Sequence, residues 1–94
     1  MSATRIMGII RGFLEGNTKA DTFSFDLPDV LIEFGSEMER ANPALYELLN
    51  EELPDICSYY ESDADERSER PEYLDENEFR EKVQQIYNDA LKLI

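Results

Sequence analysis

NPALYELLNEELPDICSYY, residues 42–60, is the stretch whose pattern decides the fold. Asn42 followed by Pro43 makes a good helix start. An asparagine side chain accepts a bond from the free backbone N–H groups of the first turn, and a proline there lacks only a donor that would have no helical partner. From that start Leu45, Leu48, Leu49, Leu53, Ile56, Cys57 and Tyr60 recur every three or four residues and share one side of a helix. Glu47, Glu51 and Asp55 recur every four residues and line a different, outward side. Pro54 lies within the pattern. It removes one backbone donor and predicts a kink near Asn50 to Leu53 that leaves the apolar face continuous.

Upstream, Ile6, Ile9, Ile10, Phe13 and Leu14 stand at helical spacing, and Gly16 with Asn17 supplies the stop. Thr18 and Asp21 have capping-box spacing, which predicts a short helical turn carrying Phe23 that Pro28 interrupts. A second full helix is expected from near Pro28, burying Leu31, Phe34 and Met38 with Leu27 and Val30 alongside, and ending between Arg40 and Asn42. Downstream, Asp75 and Glu78 form a capping box and Leu74 is placed to staple onto Phe79. Phe79, Val83, Ile86, Ala90 and Leu91 are the expected buried face of that last helix, with Tyr87 at its edge. Nothing alternates with the period of a strand. The expected fold is all-α: a small antiparallel four-helix bundle with a kinked third helix, one domain over residues 1–94.

Composition narrows the function. The 94 residues carry 22 acids and 9 bases, a formal charge of −13, which repels phosphate backbones and anionic lipid. No nucleic-acid or membrane partner is expected, and a basic protein is. No stretch has the apolar length of a membrane span, and the charges in MSATRIMGIIRGFLEG interrupt the centre that a secretory signal needs, so a cytoplasmic location is expected. Histidine is absent and Cys57 is the only cysteine, which removes most triad and zinc-hydrolase readings. Paired carboxylates are so abundant that no one pair is informative. The chain reads as a binding protein rather than an enzyme, without cofactor or metal. Calcium-loop registers starting at Asp63 or Glu61 both fail, since Ser68 or Glu66 stands where the loop needs glycine.

Between Glu61 and Glu78 nine carboxylates meet only Arg67 and Arg70, so a net seven of the thirteen negative charges sit in one connection. A run of this kind is commonly a solvated face and linker. The sharper reading is that evenly spaced carboxylates, continued by Glu47, Glu51 and Asp55, imitate a nucleic-acid backbone and suit the cleft of a protein that binds RNA or DNA. Arg67 and Arg70 are expected in local ion pairs. Cys57, on the apolar stripe, reads as a buried structural thiol. Tyr60 continues that stripe into the core, whereas Tyr59 points outward beside the acids, as an interface anchor or an ordinary surface tyrosine.

The string YESDADERSERPEYLDENEFREKV, residues 60–83, resembles the colicin D-type immunity proteins in several respects. An aromatic stands at a helix end, an acid-rich turn follows at Asp63-Ala64-Asp65 with Arg67 shortly after, and Leu74-Asp75-Glu76 opens a final helix. Phe13-Leu14-Glu15-Gly16, Thr18-Lys19-Ala20-Asp21 and Phe23 are similar to that family's first helix and the turn into its second. The resemblance implies a four-helix bundle, monomeric before it meets its partner. That partner would be a bacterial toxin, typically a transfer-RNA-cleaving nuclease domain from a bacteriocin or contact-dependent growth inhibition system, whose cleft an acidic face blocks. By position the family's acid after the third helix falls on Asp63, flanked by Glu61 and Asp65. With the outward acids and Tyr59 read from the spacing, the expected toxin-binding set is Asp55, Ser58, Tyr59, Glu61, Asp63, Asp65, Glu66 and Glu69, with Glu47 and Glu51 as a secondary ridge. Members often carry an acid where this chain has Ser58, and Asp55 or Glu61 is the candidate to supply that charge. Reversing Glu61 and Asp63 to lysine is expected to keep or slightly raise stability while abolishing protection. The readings from other classes are an acidic regulatory or scaffold module that docks a basic protein or peptide, and a hydrolase using paired acids.

Overall fold

Residues 2–94, apart from the side chain of Ser2, are described by a computed structural model. Five helices follow one another: α1 (Ser2–Leu14), α2 (Ala20–Ala41), α3 (Pro43–Tyr59), α4 (Ala64–Ser68) and α5 (Glu76–Leu91). Among the described residues the only β-type pairing is an isolated parallel bridge between Tyr60 and Leu74. α1 packs on α2 and α5, and α3 packs on the same two helices, within an envelope of 42 × 23 × 22 Å.

The helix ends follow local chemistry. Gly16 adopts φ +87°, and the bonds Asn17 N to Gly12 O (2.9 Å) and Gly16 N to Phe13 O (3.0 Å) close α1 in the six-to-one, five-to-two pattern that a left-handed residue permits. Asn42 ends α2 and begins α3 at once. Its backbone N–H donates to Met38 O at 2.7 Å, its side-chain oxygen accepts from Leu45 N at 3.2 Å, and its amide donates to Leu93 O at 2.8 Å. At α5 the full capping box forms, with Glu78 N on Asp75 Oδ1 at 2.8 Å and Asp75 N on Glu78 Oε1 at 3.2 Å.

One buried cluster joins the four long helices: Ile6, Ile10 and Phe13 from α1, Phe23, Leu27, Leu31 and Met38 from α2, Leu45, Leu49 and Leu53 from α3, and Phe79, Val83 and Ile86 from α5. Burying each such side chain contributes about 1.5–3 kcal/mol before chain entropy opposes it. At one end Phe13 stacks on Phe23 (centroids 4.2 Å, planes 6° apart), and Phe79 bridges Phe13, Phe23 and Tyr60 at 5.3, 6.0 and 4.8 Å. Arg80 locks this end. Its guanidinium lies 4.3 Å from the Phe13 ring centroid, donates to Phe13 O at 2.7 Å and pairs with Glu76 at 3.1 Å, so a cation meets the negative end of α1. At Gly35 a Cβ would sit 3.0 Å from Tyr46 Cε1, which is why the close approach of α2 to α3 uses a glycine.

Several expectations are corrected. α2 is one helix through Pro28, not a short turn followed by a second start. Interior proline costs about 3 kcal/mol, but Phe23, Leu27 and Leu31 fall at four-residue intervals on the buried side and their burial outweighs it. The Thr18–Asp21 capping box does not form: the cap position is Lys19, with no side-chain bond. Leu91 is exposed rather than buried, because it lies a hundred degrees round from Ala90 in the last turn of α5. The continuity expected of α3 past Pro54 is present, with Leu53 and Cys57 buried on either side of it.

Candidate functional site

The acidic connection is anchored at both ends. Leu74 N donates to Tyr59 O at 2.8 Å and Glu61 N donates to Leu74 O at 3.0 Å, so the chain leaves α3 and returns to the same point before α5. Inside the loop Asp63 caps α4, accepting from Asp65 N at 2.9 Å, and Ser68 Oγ donates to Asp65 O at 2.7 Å. Arg67 is half-buried and donates to Glu61 O at 2.6 Å. Among the described residues no carboxylate lies within ion-pair distance of Arg67, so the local pairing expected for it is corrected; Arg70 does pair, with Glu72 at 3.7 Å.

These bonds divide the expected contact residues into two groups. Glu61 and Asp63 are structural in part: Glu61 Oε1 accepts from Asp63 N at 3.1 Å, and Asp63 is the cap of α4. Removing a cap costs about 0.5–2 kcal/mol, so reversing this pair is expected to lower stability, not preserve it. Asp65, Glu66 and Glu69 are exposed, and no base lies within ion-pair distance of them among the described residues. Ser58 is exposed but turned back on its own helix, donating to Asp55 O at 2.7 Å.

The α3 acids open onto a groove. Between the second half of α3, residues 71–74 and α5 lies a cleft of about 680 Å³ lined by Glu51, Glu52, Asp55, Ile56, Tyr59, Pro71, Glu72, Leu74, Lys82, Gln85, Ile86 and Asp89. Asp55, Tyr59 and Glu51 therefore share one concave surface with the tail of the acidic connection, whereas Glu47, also exposed, is not in its lining. Tyr59 is 42% exposed, with its ring available at the groove edge. Glu52, Glu72 and Asp89 were not singled out by the four-residue spacing on α3. The facing signal was on α5, where Lys82, Gln85, Ile86 and Asp89 recur at three- and four-residue steps.

Tyr60 marks the hinge between loop and core. Desolvation, then the hydrogen bond and charge of Asp21 and the charge of Glu76, push its phenol up to about 12 against the opposing pull of Arg67. Burial alone pushes the Cys57 thiol up to about 12. Both groups lose protons near their ordinary values of 9.0 and 10.0 once unfolded, so above pH 9 the unfolded chain binds fewer protons than the folded one. The contribution to stability is whole below pH 9 and is lost as pH rises toward 12. The urea midpoint is expected to fall as pH rises from about 9 toward about 12, less steeply in Cys57→Ala. A flat profile in the wild-type chain would contradict the buried thiol and shielded phenol.

Two further exposed apolar side chains lie on α2. Phe25 and Ile32, 78% and 79% exposed, are seven residues apart and so share one face, with Asp29 between them. No helix is long and apolar enough to cross a membrane among the described residues, and none of their acid and cysteine side chains group as a metal site. No protein-family model, curated protein or solved structure matches the chain.

Proposed function

We propose that this chain is an immunity-type inhibitor of a basic toxin nuclease, of the colicin D-immunity kind. It would hold the cytoplasm of the producing cell safe by covering the nuclease's RNA-binding cleft. The observation that carries the reading is the set Asp65, Glu66 and Glu69: three exposed carboxylates with no ion-pair partner among the described residues, two on α4 and the third just past its end, in a connection whose two flanks are tied to the core. Unpaired carboxylates crowded together raise the energy of the free protein, and a partner's lysines and arginines relieve that repulsion on binding. Inhibition is steric and electrostatic, with no bond made or broken by this chain. The finer fold reading belongs to the same proposal: α1, α2, α3 and α5 as an antiparallel four-helix bundle, with α4 carried on one connection.

The test is co-expression with the product of the adjacent upstream gene. The expected result is a basic C-terminal domain that is toxic alone, harmless with this chain, and recovered with it as a one-to-one complex. Toxicity that persists, with no complex recovered, would remove the proposal. The scaffold-module reading is favoured by one observation, the apolar Phe25 and Ile32 face on α2, which an inhibitor with a single acidic contact surface does not need. A basic partner without nuclease activity would select that reading.

A further inference from the structure

We propose that the groove between α3 and α5 is the seat of a basic amphipathic segment projected by the partner protein. This rests on the reading of the chain as a binder of a basic protein, and it changes the geometry of that contact. A convex acidic surface can only enter a partner's cleft, whereas this groove receives. Its apolar lining is Ile56, half-buried, with Leu74 and Ile86 nearly covered beneath at 7% and 4% exposed, and Tyr59 stands at its edge with 42% of its surface free. Its α3 rim is Glu51, Glu52 and Asp55, none with a base in ion-pair distance among the described residues. The opposite rim carries Glu72 and Asp89, held only by exposed contacts to Arg70 and Lys92 at 3.7 and 4.0 Å.

Floor and rim together specify the occupant. Ile56 and the Tyr59 ring offer apolar contact, and the unpaired Glu51, Glu52 and Asp55, with Glu72 and Asp89 held only by long exposed contacts, call for lysine or arginine above them. A second copy of this chain, at −13, would place like charge on like. Nucleic acid and anionic lipid meet the same repulsion. The volume, about 680 Å³, suits a few side chains of a helix or extended segment rather than a whole domain face.

The isoleucines of the chain report the position of a ligand. Ile56 and Ile86 are in the groove lining, and Ile32 is on the outer face of α2. The full-length chain, labelled at isoleucine methyl groups, is titrated with an amphipathic helical peptide bearing leucine on one face and lysine on the other, and with its Lys→Gln counterpart. Saturable shifts are expected at Ile56 and Ile86 with the lysine peptide and not with the glutamine one. The triple variant Glu51→Gln, Glu52→Gln, Asp55→Asn should weaken that binding by about tenfold or more at low salt, with Tyr59→Ser weakening it further. Shifts confined to Ile32, or equal binding of both peptides, overturn the groove assignment. The co-expressed toxin separates this from the broader reading. A toxin held as tightly by the triple variant as by wild type sinks the groove and leaves the immunity function on α4. A groove that binds the lysine peptide in a chain that neutralises no toxin keeps the groove and sinks the immunity reading.

Discussion

Under the proposed immunity function, changing Asp65, Glu66 and Glu69 together to lysine is expected to abolish protection against the partner toxin and to leave the fold standing. The three side chains bury nothing: α4 contains no buried residue, and the bond from Ser68 runs to the backbone carbonyl of Asp65. Their replacement moves the net charge from −13 to −7, since each of three carboxylates becomes an ammonium. Charge steering raises association rates by about 10–10³-fold, so the variant should associate at least about tenfold more slowly at low salt. The gap between variant and wild type should close toward 1 M salt, where the screening length falls to about 3 Å. The thermal midpoint is expected to be unchanged or higher, because crowded like charges are removed while only the weak attraction of two acids for the start of a one-turn helix is lost. Stopped-flow association with the purified toxin domain and a thermal melt are the two measurements. Full protection by this variant would show that the acids of α4 are solvated surface and nothing more.

Phe79→Ala should cost about 3–5 kcal/mol, a large part of the 5–15 kcal/mol typical of a single domain. Phe79 is fully buried and is the ring on which Phe13, Phe23 and Tyr60 all rest. Its loss leaves a cavity where α1, α2 and α5 converge, and removes the platform that holds Tyr60 at the mouth of the acidic loop. The urea midpoint should collapse, and in whatever fraction remains folded the phenol of Tyr60 should titrate nearer its ordinary range, as read by ultraviolet difference absorbance. A loss below about 1 kcal/mol would mean that the aromatic cluster is loosely packed and that the loop is held from elsewhere.

Helices with strong local signals were legible in the sequence. Asn42 and Asp75 are capping residues whose side chains reach backbone donors three positions on, so their capping is local, although Asn42 also reaches Leu93 O at the far end of the chain. Gly16 ends α1 for an equally local reason. Pro28 was misleading because the rule that proline breaks helices is local, whereas the burial of Phe23, Leu27 and Leu31 that overrides it is tertiary. The candidate site divides in the same way. The run of acids is visible in any reading of residues 61–78, but the separation of Glu61 and Asp63, spent on loop bonds, from Asp65, Glu66 and Glu69, left free, needs the fold. The groove was illegible because its rims come from α3 and from α5, some thirty residues apart in the chain, and the exposure of Phe25 and Ile32 could not be told from core periodicity on a helix with apolar residues on more than one side.

Closure of the loop at Tyr59, Glu61 and Leu74 gives residues 62–73 a separate history from the helices that carry them. Doubling the length of a closed loop adds only about 0.6 kcal/mol of closing entropy, so this stretch tolerates insertion and replacement that would ruin α3 or α5. It can be grafted as a unit between the two ends. Under the proposed function, a chain of this design would meet a new adversary by exchanging the exposed residues of this connection, with the hydrophobic interior inherited unchanged.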